Sequence, residues 1–196
     1  MIDRKKYLSR KEVNQLRTVT EAKAIVDLQK GGVTGITNWM LVDIALSTGL
    51  RVSELAAIRI RDIDFKRCSL SVVRLKRKKQ IIETLAIGKG LLHHIKQYIK
   101  WTGRTKGKLL IGERGNLTSQ GLQQIWKAAI RQAGLPKELS IHSARHTMAV
   151  TLLKRTGNLR QVQKQLGHSS PVITANMYAD VSFEDMQDGV TGLYDS

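Results

Sequence analysis

The sequence predicts a mainly α-helical domain carrying one small antiparallel β-sheet, an α+β fold. Three observations carry that prediction. Apolar residues recur at helical spacing through most of the chain, a period-2 stretch interrupts them between residues 63 and 87, and no repeat, low-complexity tract or Pro-rich linker divides the sequence. The 196 residues are 41% hydrophobic, enough for one real core, and the length suits one domain or two small ones. We take residues 1–196 as a single domain, with a core from about 8 to 180 and a tail from 181 to 196.

The elements follow in order. Ser9 precedes Glu12 by three residues, the spacing of a capping box, so a helix starts there. Val13, Leu16, Ala24, Ile25 and Leu28 give it an imperfect apolar stripe, and Gly31-Gly32 ends it. Trp39 to Leu46 reads as a second, largely buried helix closed near Gly49, and a third follows from about Ser53. Ile63, Phe65, Leu70, Val72 and Val73 then alternate with polar residues, and Ile81, Ile82, Leu85 and Ile87 form a matching return strand. Helices are expected over Leu91–Trp101 and Thr118–Gln132, the latter stopped by Gly134-Leu135-Pro136. From about His142 the pattern reads as several short helices.

Charge narrows the function. There are 33 Lys and Arg against 16 Asp and Glu, a net charge of +17. Such an excess points to a polyanionic partner, most often nucleic acid, although a solvated basic surface explains charge alone equally well. The distribution is uneven. Residues 1–164 hold all 33 bases and 11 acids, a balance of +22, while residues 165–196 hold five acids and no base. No apolar run is long enough to span a bilayer, and the single Cys68 cannot form an internal disulfide, so a cytoplasmic protein is expected. The densest basic run, Arg74-Leu75-Lys76-Arg77-Lys78-Lys79, falls on the turn between the two strands, where it is either a DNA-contacting hairpin tip or a solvated one.

Several chemistries find little support. Gly88-Lys89-Gly90 lacks the rest of a phosphate-binding loop, and Cys68 has no neighbouring base in the sequence. His142 and His146 stand four apart, a metal-ligand spacing, but no carboxylate or thiol nearby completes a site, and no metal or other cofactor is expected. His93 and His94 read as surface residues. More informative are Thr48-Gly-Leu-Arg51-Val-Ser-Glu54-Leu, then His142-Ser-Ala-Arg145-His146-Thr, then Leu166-Gly-His168-Ser-Ser, then Tyr178. Two Arg, two His, a basic hairpin and a Tyr suggest phosphate chemistry without a metal.

These segments, in this order, resemble the catalytic domain of the tyrosine recombinases, the phage integrase family, and the resemblance covers nearly the whole chain. It implies the following. Tyr178 attacks a DNA phosphodiester, forms a 3′-phosphotyrosine and releases a 5′-hydroxyl; a second 5′-hydroxyl later reseals the backbone. Arg51 and Arg145 clamp the nonbridging oxygens, whose negative charge grows in the transition state. His142 and His168 hydrogen-bond the phosphate or assist proton transfer. An ordinary tyrosine ionises near 10, so the nucleophile needs a base or a strongly positive site. A hairpin lysine protonates the leaving oxygen, with Lys78 the first choice and Lys76 the second. Arg74, Lys76, Arg77 and Lys79 are the expected DNA contacts. His146 is expected to pack, and Glu54 to orient Arg51.

The resemblance implies double-stranded DNA as partner and a tetrameric homo-oligomer assembled on it. It also implies that the family's N-terminal core-binding domain is absent. The acidic tail, with Phe183, Met186, Val190 and Leu193 at helical spacing, either packs on a neighbouring protomer or folds back on its own domain. Two other functions share some of these features. A non-catalytic DNA-binding protein explains the charge and the segment Gly157 to His168, but not the recurrence of the five site residues. A type IB topoisomerase shares the chemistry but is expected to be longer.

Overall fold

A computed structural model describes residues 6–76, 79–113 and 115–167. Helix α1 (Arg10–Gln29) begins where the capping box places it. The Ser9 hydroxyl accepts the Glu12 amide at 3.2 Å, and the Glu12 carboxylate accepts the Ser9 amide at 2.6 Å. Helix α2 (Thr34–Thr48) is apolar on every side and correspondingly buried, with Ile36, Met40, Leu41, Val42 and Ile44 fully covered. It starts five residues before Trp39. The reason lies outside α2: the Asp27 carboxylate at the end of α1 accepts the Gly35 amide at 2.6 Å, and a side chain at Gly35 would collide with Asp27. Gly49, at φ 65°, closes α2 and leads into the short α3 (Val52–Ala57).

One turn of 3-10 helix, Ile60–Asp62, precedes a three-stranded antiparallel sheet, β1 (Ile63–Asp64), β2 (Ser69–Lys76) and β3 (Lys79–Ala86), in the order β1-β2-β3. Leu70 pairs with Leu85, Arg74 with Ile81 and Lys76 with Lys79. Leu70, Val72 and Leu85 face the core, whereas the cross-strand pair Val73 and Ile82 faces solvent. Cys68 is half-buried at the turn before β2, with a left-handed φ of 53°.

Helix α4 (Lys89–Thr102) buries Leu91, Leu92, Ile95 and Tyr98 at its expected spacing. A two-stranded ribbon, β4 (Ile111–Gly112) and β5 (Gly115–Asn116), leads to α5 (Ser119–Gln132), capped by Thr118. Trp126 of α5 is fully buried and donates its indole N–H to the Leu139 carbonyl at 2.9 Å.

The last described part differs from the expected series of short helices. Helix α6 (Ile141–Thr156) runs unbroken for 16 residues. Its inner face includes polar Ser143 and Thr147, which hides the stripe in the sequence. Thr147 is nonetheless satisfied: its hydroxyl donates to the Ser143 carbonyl at 2.7 Å and accepts the Leu8 amide at 2.8 Å. Gly157, at φ 60°, ends α6, and Asn158 caps α7 (Leu159–Leu166) by accepting the amides of Arg160 and Gln161. Among the described residues the core is in two parts. A large cluster spans α1 to the start of α6, and a small one joins Ala149, Val162 and Leu166.

Candidate active site

Arg51 stands at the junction of α2 and α3, in extended backbone at the N-cap of α3. Glu54 lies one turn further on and reaches back. One carboxylate oxygen accepts the Arg51 amide at 2.8 Å and the other accepts a guanidinium N–H at 3.0 Å. Glu54 is buried, while the Arg51 side chain is 46% exposed. A guanidinium held on one edge and open on another can meet an incoming oxyanion without losing its orientation.

Arg145 projects from the first half of α6 and bridges two helix ends. It donates to the Gly49 carbonyl, at the end of α2, and to the Leu166 carbonyl, at the end of α7, both at 2.8 Å. Free carbonyls and the negative end of the helix dipole collect at such termini, so a permanent cation is the favoured partner. Gly49 lies two residues before Arg51, so this link brings the two arginines into one neighbourhood. His142, one turn before Arg145 and exposed, opens α6 beside them.

His146 is half-buried, and its Nδ1 is buried without a hydrogen-bond partner. Burial, followed by the nearby charges of Arg145, His142 and Lys6, holds its pKa below the ordinary 6.5. Its imidazole therefore favours the neutral form, as suits a packing residue beside the Arg145 guanidinium.

Arg74, expected among the DNA contacts, is turned inward. It is 1% exposed. Strand β2 alternates, and Arg74 shares the inward parity of Leu70 and Val72; that parity was the signal available in the sequence, overridden by the run of charges around it. One terminal nitrogen donates to Glu83 and the other to the Gln165 carbonyl, each at 2.8 Å. Its Nε, which makes no hydrogen bond, lies 3.7 Å from the Glu54 oxygen that holds Arg51. A β-carbon at Gly167 would fall 1.4 Å from the Arg74 guanidinium, and Gly167 also adopts φ 65°. The sequence reading missed this function of Gly167, and missed Glu83 and Gln165 altogether.

The remaining predicted residues divide simply. Lys79 opens β3 and is exposed, and the backbone of Lys76 ends β2 opposite it. Arg77, Lys78, His168 and Tyr178, with the acidic tail, lie outside the described residues. Among the described residues no three His, Cys, Asp or Glu side chains are grouped to hold a metal ion, and no helix is long and apolar enough to cross a membrane.

A second polar cluster lies in a groove of about 470 Å³ between α1, α2, α4 and α6. There Asp43, buried, accepts Arg17 at 3.0 Å and contacts the His94 ring at 2.6 Å. His94 also lies against Trp39, so it is more engaged than a plain surface residue.

Comparison with known proteins agrees with this architecture. The chain is 28% identical over 179 residues to the tyrosine recombinase XerC of Xanthomonas axonopodis pv. citri, covering 90% of this chain and 57% of the relative. It is 32% identical over 165 residues to XerC of Halalkalibacterium halodurans, covering 78% and 53%. The chain thus spans little more than half the length of these relatives. Among solved structures, XerA recombinase superposes with a TM-score of 0.73 at 22% identity, over 96% of this chain and 63% of that one. The Tn1549 transposon integrase in complex with circular intermediate DNA superposes with a TM-score of 0.76 at 18% identity, over 97% and 68%. At such identities the structures establish the fold. The pattern of the phage integrase family matches residues 6–185, so the chain belongs to the phage integrase family.

Proposed function

We propose that this chain is the strand-cleaving and rejoining part of a site-specific DNA recombinase, working in the cytoplasm on double-stranded DNA as a tetrameric assembly. The observation that carries the reading is the joining of Arg51 and Arg145 through the Gly49 turn, each with its guanidinium fixed by buried acceptors. Relatives named tyrosine recombinases support it, as does a structural neighbour described as XerH site-specific recombinase bound to difH substrate in a pre-cleavage complex.

The chemistry needs no external energy source. The Tyr178 hydroxyl attacks phosphorus and gives up its proton, the bond to the 5′-oxygen breaks, and a 3′-phosphotyrosine keeps the phosphodiester energy. Arg51 and Arg145 stabilise the charge gathering on the nonbridging oxygens, and His142 and His168 complete the phosphate's hydrogen bonds or take up the Tyr178 proton. Lys78, or Lys76, gives the leaving 5′-oxygen its proton. Attack by a 5′-hydroxyl from a second strand reverses each step and yields a recombinant joint.

A nicked suicide duplex carrying the cognate site tests this. Wild-type protein is expected to form a covalent 3′-phosphotyrosyl adduct, and Tyr178→Phe none. Site binding without an adduct would favour a non-catalytic DNA-binding protein, and an adduct that survives Tyr178→Phe would displace the nucleophile.

A further inference from the structure

We infer that Arg74 is a positioning residue for this reaction: it aligns the two clamping arginines from beneath and makes no contact with DNA. The inference rests on the function proposed above. Four observations converge on it. Arg74 is a buried cation, and a buried charge persists only where it is paired. It ties together β2, α3, β3 and the end of α7, through Glu54, Glu83 and the Gln165 carbonyl. Glu54 is shared: the oxygen 3.7 Å from Arg74 Nε is 3.0 Å from Arg51 Nη1. The chain of charges therefore runs Arg51, Glu54, Arg74, Glu83, alternating in sign, with only its Arg51 end well exposed.

The end of α7 supplies the second arm. Arg74 holds the Gln165 carbonyl and Arg145 holds the next one, Leu166. Both guanidiniums thus grip the same helix terminus, and Gly167 leaves the room that Arg74 fills. A shift of Arg74 would be felt by Arg51 through Glu54, and by Arg145 through the shared terminus. Lysine cannot replace it. An ammonium is a single point of donors and does not span Glu83, Glu54 and a carbonyl as a planar fork does.

The test compares wild type with Arg74→Lys and Gly167→Ala, reading DNA affinity at several salt concentrations and the single-turnover rate of adduct formation on the suicide duplex. For Arg74→Lys we expect unchanged affinity, an unchanged salt slope and a rate about 10- to 100-fold lower, as ångström-scale misplacement of reacting groups produces. Gly167→Ala should show the same separation. In a double-mutant cycle, Arg74→Lys with Glu54→Gln should lose far less than the product of the single losses, because both act on Arg51 by one route. A salt slope lowered by about 0.9 in Arg74→Lys would instead mark a lost phosphate contact and overturn the inference. So would a wild-type rate in both variants, or losses that multiply in the cycle. Should either variant melt below the assay temperature, the other and Glu83→Gln decide the same question. Wild-type protein that binds its site and forms no adduct would defeat the recombinase reading itself, a result separate from any of these.

Discussion

Among the described residues, two buried carboxylates each hold two nitrogen-bearing side chains, and they do so to different ends. Glu54 lies between Arg51 and Arg74, and Asp43 lies between Arg17 and His94. Both carboxylates are covered almost completely. Their partners differ. Arg74 is enclosed on all sides, whereas Arg17 and His94 keep more than a third of their side-chain surface in solvent. Arg17 and His94 face a groove, while Arg51 stands in the sequence segment that also supplies the carbonyl for Arg145. A carboxylate between two such side chains is thus a fastening that the fold uses more than once. Its connection to the exposed edge of Arg51, and through Gly49 to Arg145, is what sets one of the two apart as part of the proposed active site.

Replacing an arginine in each region sets the clearest contrast. Arg145→Ala should lower the rate of adduct formation by about 10²- to 10³-fold, the usual effect of removing one donor to a developing oxyanion. Arg17→Met should leave that rate at the wild-type level in the same gel assay, and a comparable loss from Arg17→Met would erase the distinction. Stability gives the next largest effect. Glu54→Ala strips a partner from an enclosed guanidinium and should destabilise by about 3 kcal/mol in urea unfolding. Asp43→Ala leaves Arg17 and His94 able to turn to water and should cost roughly 1 kcal/mol. Equal losses would show that enclosure is not the deciding variable.

Glycine substitutions sharpen the comparison further. Gly157→Ala meets open space at φ 60° and should cost only the left-handed backbone penalty, about 1 kcal/mol. Gly167→Ala has nearly the same φ but drives a methyl into Arg74, so its midpoint should fall further in the same thermal melt.

The smallest effect expected is a pH dependence from His146. Its pKa is lowered in the folded state, so the unfolded chain takes up a proton first as pH falls through about 6.5. The stabilisation is complete above 6.5 and declines below it, toward the lower folded-state value. The melting temperature should therefore drop between pH 7.5 and 5.5, and His146→Gln should reduce that drop.

Much of the fold is legible in the residues themselves. Ser9 with Glu12, and Gly134-Leu135-Pro136, mark helix ends through local chemistry that acts within a few residues, so the sequence suffices. The start of α2 is not legible, because Gly35 is fastened by Asp27 from another helix. The length of α6 is hidden for a similar reason: Thr147 looks polar until Leu8, distant in the chain, meets its hydroxyl. At the site, the segments around Arg51 and Arg145 stand out as motifs, but their linkage through the Gly49 carbonyl is a tertiary fact. Arg74 shows the sharpest failure. Two rules applied to it, strand parity and the tendency of charge runs to be solvated, and the weaker-looking parity rule prevailed because two acceptors and the nearby Glu54 carboxylate await the guanidinium inside.

The division of the core has a consequence for motion. Helix α7 has eight residues, too few to hold together as an isolated helix in water, and only Val162 and Leu166 anchor it in the small apolar cluster beside Ala149. The links from Arg74 and Ala86 to residue 165 and from Arg145 to residue 166 then fasten a unit that is expected to open before the main core does. In native-state amide exchange, α7 should report a subglobal opening well below the free energy of complete unfolding.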